Sequence, residues 1–390
     1  MVRKLKNIDL LDSLSCLLVL GLFFQYCFPS LSTLLNIVCL IVGAIALYIE
    51  ISLYKLNDFI CKIFIFVFML TFANHFIIGN ISLSFIMKFI FHYFPIAYWL
   101  ALDSKKNTNY WLGVSLIIFA VTEIKWFLSP NNYILFAELS RNYVSIFLLV
   151  VIFVFINIQN EEKISFPVNI IISFMYLVFS IHAVGRGGIL AGMLYLALTS
   201  IYVYKTNNKV KAYVHKNRKK IIYICLIIFA LVFLIFRKQI FNLLFSRFVD
   251  NAAENSTYGR MQVYTAYLQM AFTNFKYLLL GVPYGEVNKS LTFITGNMHC
   301  SYLQLHACFG LFGVGFVFYR LYKTVRYLIK NHKYNNLIFM ITFLFRIFTD
   351  FAICGFITDF IMLYYIILPM VVRKDRNEKR VTIKSIISKL

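Results

Sequence analysis

Two arginines and one histidine of the chain have side chains and neighbouring residues that suit chemistry on a phosphate. Arg186 lies in the segment His182-Ala-Val-Gly-Arg-Gly-Gly188, Arg260 follows Gly259, and His299 opens the segment His-Cys-Ser-Tyr302-Leu303. A guanidinium binds phosphate through two parallel hydrogen bonds, and glycines let the backbone approach a ligand closely. An imidazole with a pKa near 6.5 can accept a hydroxyl proton. These segments predict phosphate binding and proton transfer, although a tight turn with an interfacial arginine and a structural histidine remain the alternatives.

Further ionisable residues are weaker candidates. Glu254 is a reserve base, with ordinary solvation as the alternative. Arg346 and Asp350 are four residues apart, a spacing that suits either an intrahelical ion pair or the wall of a substrate cavity, and Tyr302 is a further candidate for that cavity. The acids near Glu254 are scattered and no glycine-rich nucleotide loop occurs, so we expect neither a metal nor a cofactor.

The elements that carry these residues are membrane spans. Hydrophobic residues make up 61% of the 390 residues and charged residues 14%, against roughly 45–50% and about 25% in soluble proteins. The apolar residues fall in runs of roughly 20, the length that a helix needs to cross a bilayer. Twelve spans are predicted: 9–29, 32–53, 58–78, 82–102, 109–128, 143–159, 165–184, 187–205, 221–237, 299–319, 335–355 and 357–372.

The net charge of +22 is explained by its position along the chain. Basic residues gather before the first span, in 205–220, in 320–333 and in 373–389. Positive charge in short loops marks the cytoplasmic side, so both termini are predicted to be cytoplasmic. The clusters lack the motifs of nucleic-acid readers, so they indicate topology and contacts with anionic lipid instead of nucleic acid.

On the opposite side most turns are short. The exceptions are the loop at 129–142 and the loop at 238–298, which is too apolar to be predicted as disordered. Within the longer loop, Met261 to Phe275 has apolar residues at helical spacing and predicts an amphipathic surface helix. We therefore predict one all-α polytopic membrane domain over 1–390 with a large extracytoplasmic loop.

The order and sidedness of the glycine, arginine and histidine motifs resemble the O-antigen polymerase and ligase family of bacterial surface-polysaccharide enzymes. The resemblance covers roughly residues 175 to 320. Three positions depart from the family pattern, because Gly185, Tyr264 and Cys300 stand where the family has serine, tryptophan and asparagine. The matching motifs are, in order, Gly185-Arg-Gly-Gly188, Gly259-Arg260, Gly281-Val-Pro-Tyr-Gly285, His299-x-x-Tyr-Leu303 and Gly310-Leu-Phe-Gly313.

The resemblance implies a metal-independent glycosyltransferase with a GT-C-like membrane architecture, acting at the outer face of the bacterial cytoplasmic membrane. Its substrates would be oligosaccharide units linked to undecaprenyl diphosphate, with Arg186 and Arg260 on the diphosphate and His299 as the base. A chain-length regulator and a flippase of the same pathway are the expected partners. A ligase with a different acceptor is the alternative within this class, and a lipid-linked oligosaccharide flippase or a non-catalytic scaffold are alternatives outside it. The sequence does not indicate the sugar, the linkage or the oligomeric state.

Overall fold

The computed structural model describes residues 2–54, 58–102, 106–128, 134–136, 139–158, 166–183, 185–217, 219–220, 223, 227, 230, 234, 237, 257–291 and 298–371. It is a helical bundle. The helices are α1 Val2–Cys27, α2 Ser32–Tyr54, α3 Asp58–Ile77, α4 Leu83–Ala101, α5 Thr108–Leu128, α6 Val144–Ile158, α7 Phe166–His182, α8 Arg186–Thr206, α9 Asn208–Lys216, α10 Thr257–Thr273, α11 Phe275–Leu280, α12 Tyr284–Lys289, α13 Ser301–Lys330, α14 Tyr334–Phe348 and α15 Asp359–Val371.

Seven of these helices are long and apolar enough to cross a membrane, and four more are apolar but shorter. The prediction of a helical membrane protein is thus confirmed at that level, whereas most of the predicted span 221–237 lies outside the described residues. The surface agrees with this assignment. On α2, large apolar side chains recur at helical spacing and are 46–59% exposed at Leu34, Ile37, Val38, Ile41 and Ile45. A continuous apolar stripe of that length needs lipid against it.

The middle of the bundle is formed by α6, which is buried on all sides although it has only 15 residues. A helix that is apolar all round belongs in a core, and α6 contacts α5, α7 and α14. The second half of α4 and nearly all of α15 are buried as well. These elements form the inner layer, against which the lipid-facing helices pack.

Two helices are irregular at places that the sequence analysis did not predict. Within α4, Phe89–Tyr93 forms a π-helical turn just before Pro95, whose ring nitrogen has no hydrogen to donate. The long helix α13 is kinked at Gly310, which has φ +63° and ψ −171°. A Cβ at that position would lie 1.8 Å from the Leu279 carbonyl oxygen, so glycine is required there.

The all-α prediction also misses a two-stranded antiparallel hairpin, β1 Ile134–Phe136 and β2 Leu139–Ser140, in the loop before α6. A 3-10 turn, Arg141–Tyr143, joins the hairpin to α6. The helix predicted over 261–275 begins earlier, at Thr257, and ends at Thr273. Its face with Val263, Tyr267 and Ala271 is buried against Val282, Val287, Met298 and Ala307.

Two basic residues that were predicted to be loop charges are buried instead. Arg320 lies within α13, is 5% exposed and donates from Nε to the Ile366 carbonyl at 3.1 Å. Lys106 donates to the Leu102 carbonyl at 3.1 Å and lies 4.0 Å from the centre of the Trp99 ring. Both cations find carbonyl oxygen or an aromatic face, which the sequence alone does not reveal.

One carboxylate joins three elements at the end of the bundle that holds the N-terminus of α1. Asp12 is fully buried and accepts Trp99 Nε1 and Trp111 Nε1 at 2.8 Å each, together with the Asn107 backbone N–H at 2.6 Å. The carboxylate thereby fixes α1 against α4 and α5. Hydrogen bonds to a charged group are stronger than neutral ones.

We predict that Asp12→Ala lowers the free energy of unfolding by about 3 kcal/mol, because three donors lose their acceptor in a buried place. The measurement is thermal unfolding of the purified protein in detergent. Asp9→Ala is the matched control, because Asp9 is exposed on the same helix and its carboxylate accepts one long hydrogen bond among the described residues, from Asn107 at 3.5 Å. Equal stability of the two variants would contradict the assigned role of Asp12.

Candidate functional site

The candidate site forms where α14 ends, at the turn Thr349–Asp350–Phe351. The last carbonyls of a helix have no partner within it and must be satisfied from elsewhere. Here each carbonyl has a different partner. Arg260 Nη1 donates to the Thr349 carbonyl at 3.1 Å, and the Ser301 N–H and hydroxyl donate to the Asp350 carbonyl at 3.1 and 2.8 Å. The Tyr143 hydroxyl donates to the Phe351 carbonyl at 2.9 Å. Three parts of the chain thus meet at one turn, which we call the α14 turn.

Arg346 supports the α14 turn from within the last turn of α14. Its side chain is only 1% exposed. Its Nε donates to Ser145 Oγ at 2.9 Å, Nη2 donates to the Asn142 carbonyl at 3.0 Å, and Nη1 donates to Thr349 Oγ1 at 3.2 Å. The predicted ion pair with Asp350 is present with an N–O distance of 3.5 Å. Because its donors are used inside the protein, Arg346 positions other residues.

Asp350 is turned toward the protein in the same way. Its Oδ1 accepts the Phe351 N–H at 3.0 Å, and its Oδ2 faces Arg346. The side chain is therefore part of the support of the turn. Tyr302 also has a packing role, since its hydroxyl donates to the Leu344 carbonyl at 2.8 Å and its ring lies between Phe318 and Phe348.

Arg260 keeps unused binding capacity. It lies in the first turn of α10 and is partly buried, and one of its five N–H donors is used on the Thr349 carbonyl. Its Nε is buried and has no hydrogen-bond acceptor among the residues that the structure describes. A buried donor without an acceptor is costly, and an anionic ligand would satisfy it. Arg260 is therefore held at the turn and has donors to offer.

Arg186 is the first residue of α8, and the glycines beside it bring this helix start against the α14 turn. A Cβ at Gly187 would lie 2.3 Å from Thr349 Oγ1, and one at Gly188 would lie 2.6 Å from Ser145 Oγ. Gly185, at the N-cap, has no side chain to cap the first N–H groups of the helix. The start of a helix with open N–H groups favours an anion. The Gly-Arg-Gly-Gly motif thus allows close packing that a larger residue would prevent.

His299 lies beside the turn in a backbone conformation that is uncommon for histidine. Its φ is +48° and the residue is 7% exposed. The Tyr264 hydroxyl donates to its carbonyl at 2.9 Å, and two residues later Ser301 is bound to Asp350. A non-glycine residue with positive φ persists where its surroundings hold it, and such residues cluster at functional sites.

Electrostatics connect these residues further. Burial raises the pKa of Tyr143; the Asp350 carboxylate raises it further, and the Arg346 and Arg260 guanidiniums lower it. Burial raises the pKa of Tyr264 to about 12, with Cys300, Arg260 and Asp350 as the charged or titratable neighbours. Both phenols stay protonated near neutral pH and act as hydrogen-bond donors. Tyr143 and Tyr264 therefore share the same charged neighbours, Arg260 and Asp350.

Several residues of the site were missed by the sequence analysis. Asn142, Tyr143 and Ser145 come from the loop and first turn of α6, and Tyr176 and Ser180 come from α7. Within the described ranges, the buried oxygens Asn142 Oδ1, Tyr176 Oη and Ser180 Oγ have no hydrogen-bond partner. Polar residues within or beside apolar spans were the available signal. The reserve base Glu254 lies outside the described residues.

Replacing Gly187 tests the close approach of α8. We predict that Gly187→Ala destabilises the protein by about 1–3 kcal/mol, because the new Cβ forces α8 away from Thr349. Gly113→Ala is the control, since this glycine of α5 has open space around it and alanine there should be neutral or stabilising. Thermal unfolding of both variants is the measurement, and no difference between them would contradict this packing.

Comparisons of the chain with protein-family models, with curated proteins and with solved structures find no match. The geometry of the α14 turn therefore carries the functional argument.

Proposed function

We propose that this protein is a membrane-embedded glycosyltransferase that joins lipid-diphosphate-linked oligosaccharide units into a longer polysaccharide at the outer face of a bacterial cytoplasmic membrane. The observation that carries the proposal is the convergence on the α14 turn of Arg260, the Arg186 end of α8 and the segment that begins at His299. The sequence analysis picked out the same residues because their side chains suit a sugar diphosphate. They come from three separate parts of the chain.

Arg186 and Arg260 act on the leaving group. Breaking the bond between the anomeric carbon and the lipid diphosphate places negative charge on the leaving oxygen. Fixed cations at that oxygen stabilise the transition state more than the ground state. Arg260 Nε is a buried donor without an acceptor in the described part of the chain, and the first N–H groups of α8 add a favourable dipole. Arg346 and Asp350 hold the turn against which both arginines are placed.

His299 acts on the acceptor sugar. The hydroxyl that attacks the anomeric carbon must lose its proton, and an imidazole can accept it near neutral pH. The backbone of His299 is held by Tyr264 on one side and by the Ser301–Asp350 hydrogen bonds on the other. Such preorganisation is what a general base requires. No metal or organic cofactor is part of this proposal.

The orientation and partners belong to the same proposal. With both termini cytoplasmic, the α14 turn faces outward, where lipid-linked oligosaccharides arrive after crossing the membrane. The flippase that delivers them and a regulator of chain length are the expected partners. A ligase, which would pass the glycan to a different acceptor, uses the same residues and stays the second candidate within this class.

A flippase or secondary transporter is the candidate from another class. Transporter sites lie near the bilayer midplane between broken helices of two matched repeats. Here the candidate arginines and histidine gather at one end of the bundle, which favours chemistry at a surface. A non-catalytic scaffold would not require a buried Arg260 donor that lacks an acceptor among the described residues. The scaffold hypothesis therefore does not explain this donor.

The first experiment is to incubate the purified protein with a lipid-diphosphate oligosaccharide and to separate the products by length. We expect a ladder of products without any second acceptor. Product only after addition of another acceptor would identify a ligase, and movement of labelled lipid between leaflets without a new glycosidic bond would identify a transporter. A scaffold would give neither product nor movement.

Substitutions in the same assay test the residue roles. Arg186→Lys, Arg260→Lys and His299→Asn should each lower the rate by on the order of 10²-fold, because one stabilising donor or the base is lost. Asn also adopts positive φ, so the backbone at position 299 is preserved. The matched controls are Arg326→Lys, on the exposed face of α13, and His332→Asn, an exposed histidine with φ +54°. Normal ladders from the first three variants would overturn the assignment.

Chelation tests the absence of a metal from the mechanism. We expect full turnover in excess EDTA, because fixed guanidinium groups replace a divalent cation at the diphosphate. The measurement is the rate of ladder formation before and after dialysis against the chelator. Loss of turnover that Mg²⁺ or Mn²⁺ restores would contradict the proposal for Arg186 and Arg260.

A further inference from the structure

An apolar groove runs along the bundle between α3, α4, α13 and α15. It is partly open to the surroundings, and its walls are almost entirely hydrocarbon. Ile63 and Val67 of α3 face Phe309 and Val317 of α13 across it, with Leu363 and Ile366 of α15 completing the wall. On α13 the lining residues run from Leu305 to Val317, on both sides of the kink at Gly310. The groove therefore follows the bend of this helix.

The two irregular helices shape this groove. The kink at Gly310 and the close packing at Gly313 lie on its α13 side, where a Cβ at Gly313 would meet Phe309 Cβ at 2.2 Å. On the α4 side, the π-helical turn Phe89–Tyr93 contributes Phe89 to the wall. The π-helical turn of α4 and the kink of α13 thus both lie beside the groove.

The upper end of the groove is joined to the α14 turn by hydrogen bonds. Ser301 binds the Asp350 carbonyl through its N–H and hydroxyl, and its oxygen accepts the Ala352 N–H at 2.9 Å. Leu305, one helical turn after Ser301, and Ile353, the residue after Ala352, both line the groove. The same two segments, 301–305 and 350–353, therefore contribute to both the site and the groove.

The groove offers no charge to a ligand inside it. Its one ionisable lining carboxylate, Asp359, is directed at the backbone N–H groups of Cys354, Gly355 and Phe356 at 2.7, 2.6 and 3.2 Å. A charged headgroup does not fit such walls, whereas a single hydrocarbon chain does. A lipid with one chain and a diphosphate head would match a groove whose lining segments are joined to the α14 turn, where Arg260 binds the Thr349 carbonyl.

From this continuity we propose that the groove holds the hydrocarbon chain of the lipid diphosphate whose head binds at the α14 turn. This inference rests on the proposed function for the identity of the head, and it adds where the chain lies. The chain leaves the turn beside Leu305 and Ile353 and follows α13 toward the membrane interior. Bulk phospholipid, with two chains, is the competing occupant.

The test uses a polyprenyl diphosphate that carries a photoreactive diazirine in the middle of its chain. After irradiation of the purified protein in phosphatidylglycerol nanodiscs, the labelled peptides are identified by mass spectrometry. We expect label on α3, α13 and α15, and displacement of the label by unlabelled polyprenyl diphosphate. Label spread over exposed faces such as that of α2, label on 221–237, or equal labelling in excess unlabelled ligand would overturn the proposal.

Larger side chains that fill the groove give variants that can be paired with controls on the exposed face of the same helix. Ile63→Trp should lower labelling at least fivefold, and Ile65→Trp should leave it unchanged because Ile65 is 63% exposed two residues away on the same helix. If thermal unfolding shows that Ile63→Trp is misfolded, Val67→Phe replaces it, with Met69→Phe, at a 62% exposed position, as control. Equal labelling of filled and control variants would place the chain elsewhere.

The outcome is separable from that of the proposed function. Labelling of the groove by the polyprenyl diphosphate needs no catalysis, so it is measured with the diphosphate alone. Groove labelling together with an absent product ladder keeps this inference and rejects the transferase. A product ladder with labelling outside α3, α13 and α15 rejects the groove and keeps the transferase.

Discussion

The structure depends on how the carbonyls at the end of α14 find hydrogen-bond donors inside a membrane protein. Where water is scarce, every backbone polar group must be satisfied by the protein itself. The Thr349, Asp350 and Phe351 carbonyls are satisfied by Arg260, Ser301 and Tyr143, which come from the first turn of α10, from the start of α13 and from the turn before α6. A single requirement of backbone chemistry thus brings distant segments together.

Arg346 makes that assembly rigid. A buried charge without partners is costly, and Arg346 is only 1% exposed, so its retention needs compensation. Ser145, Asn142, Thr349 and Asp350 supply it through four contacts. Because Gly187 and Gly188 pack directly on Thr349 and Ser145, the same network sets where α8 begins. Arg346 therefore helps to set the position of Arg186, although the donors of Arg346 are used inside the protein.

The hydrophobic sequence predicts most of the helices well, since apolar runs of span length leave few alternatives. The ends of α2, α3 and α5 fall within a few residues of the predicted spans. The hairpin Ile134–Phe136 and Leu139–Ser140 and the kink at Gly310 are not predicted, because they depend on contacts and turn geometry instead of periodicity. The candidate arginines and histidine are predicted from residue type and neighbouring glycines. Their common support is not, since Arg260 lies 89 residues from Thr349, and Tyr143 lies 208 residues from Phe351.

Arg346 and Asp350 hold the α14 turn, and we propose that Arg186, Arg260 and His299 face a substrate beside it. The most direct test is an experimental structure of the protein in a nanodisc with bound polyprenyl diphosphate. The account predicts diphosphate oxygens about 3 Å from the Arg186 and Arg260 guanidiniums, with the His299 ring beside the same cleft. A diphosphate bound at the opposite end of the bundle, or an Arg186 guanidinium turned toward lipid, would contradict it.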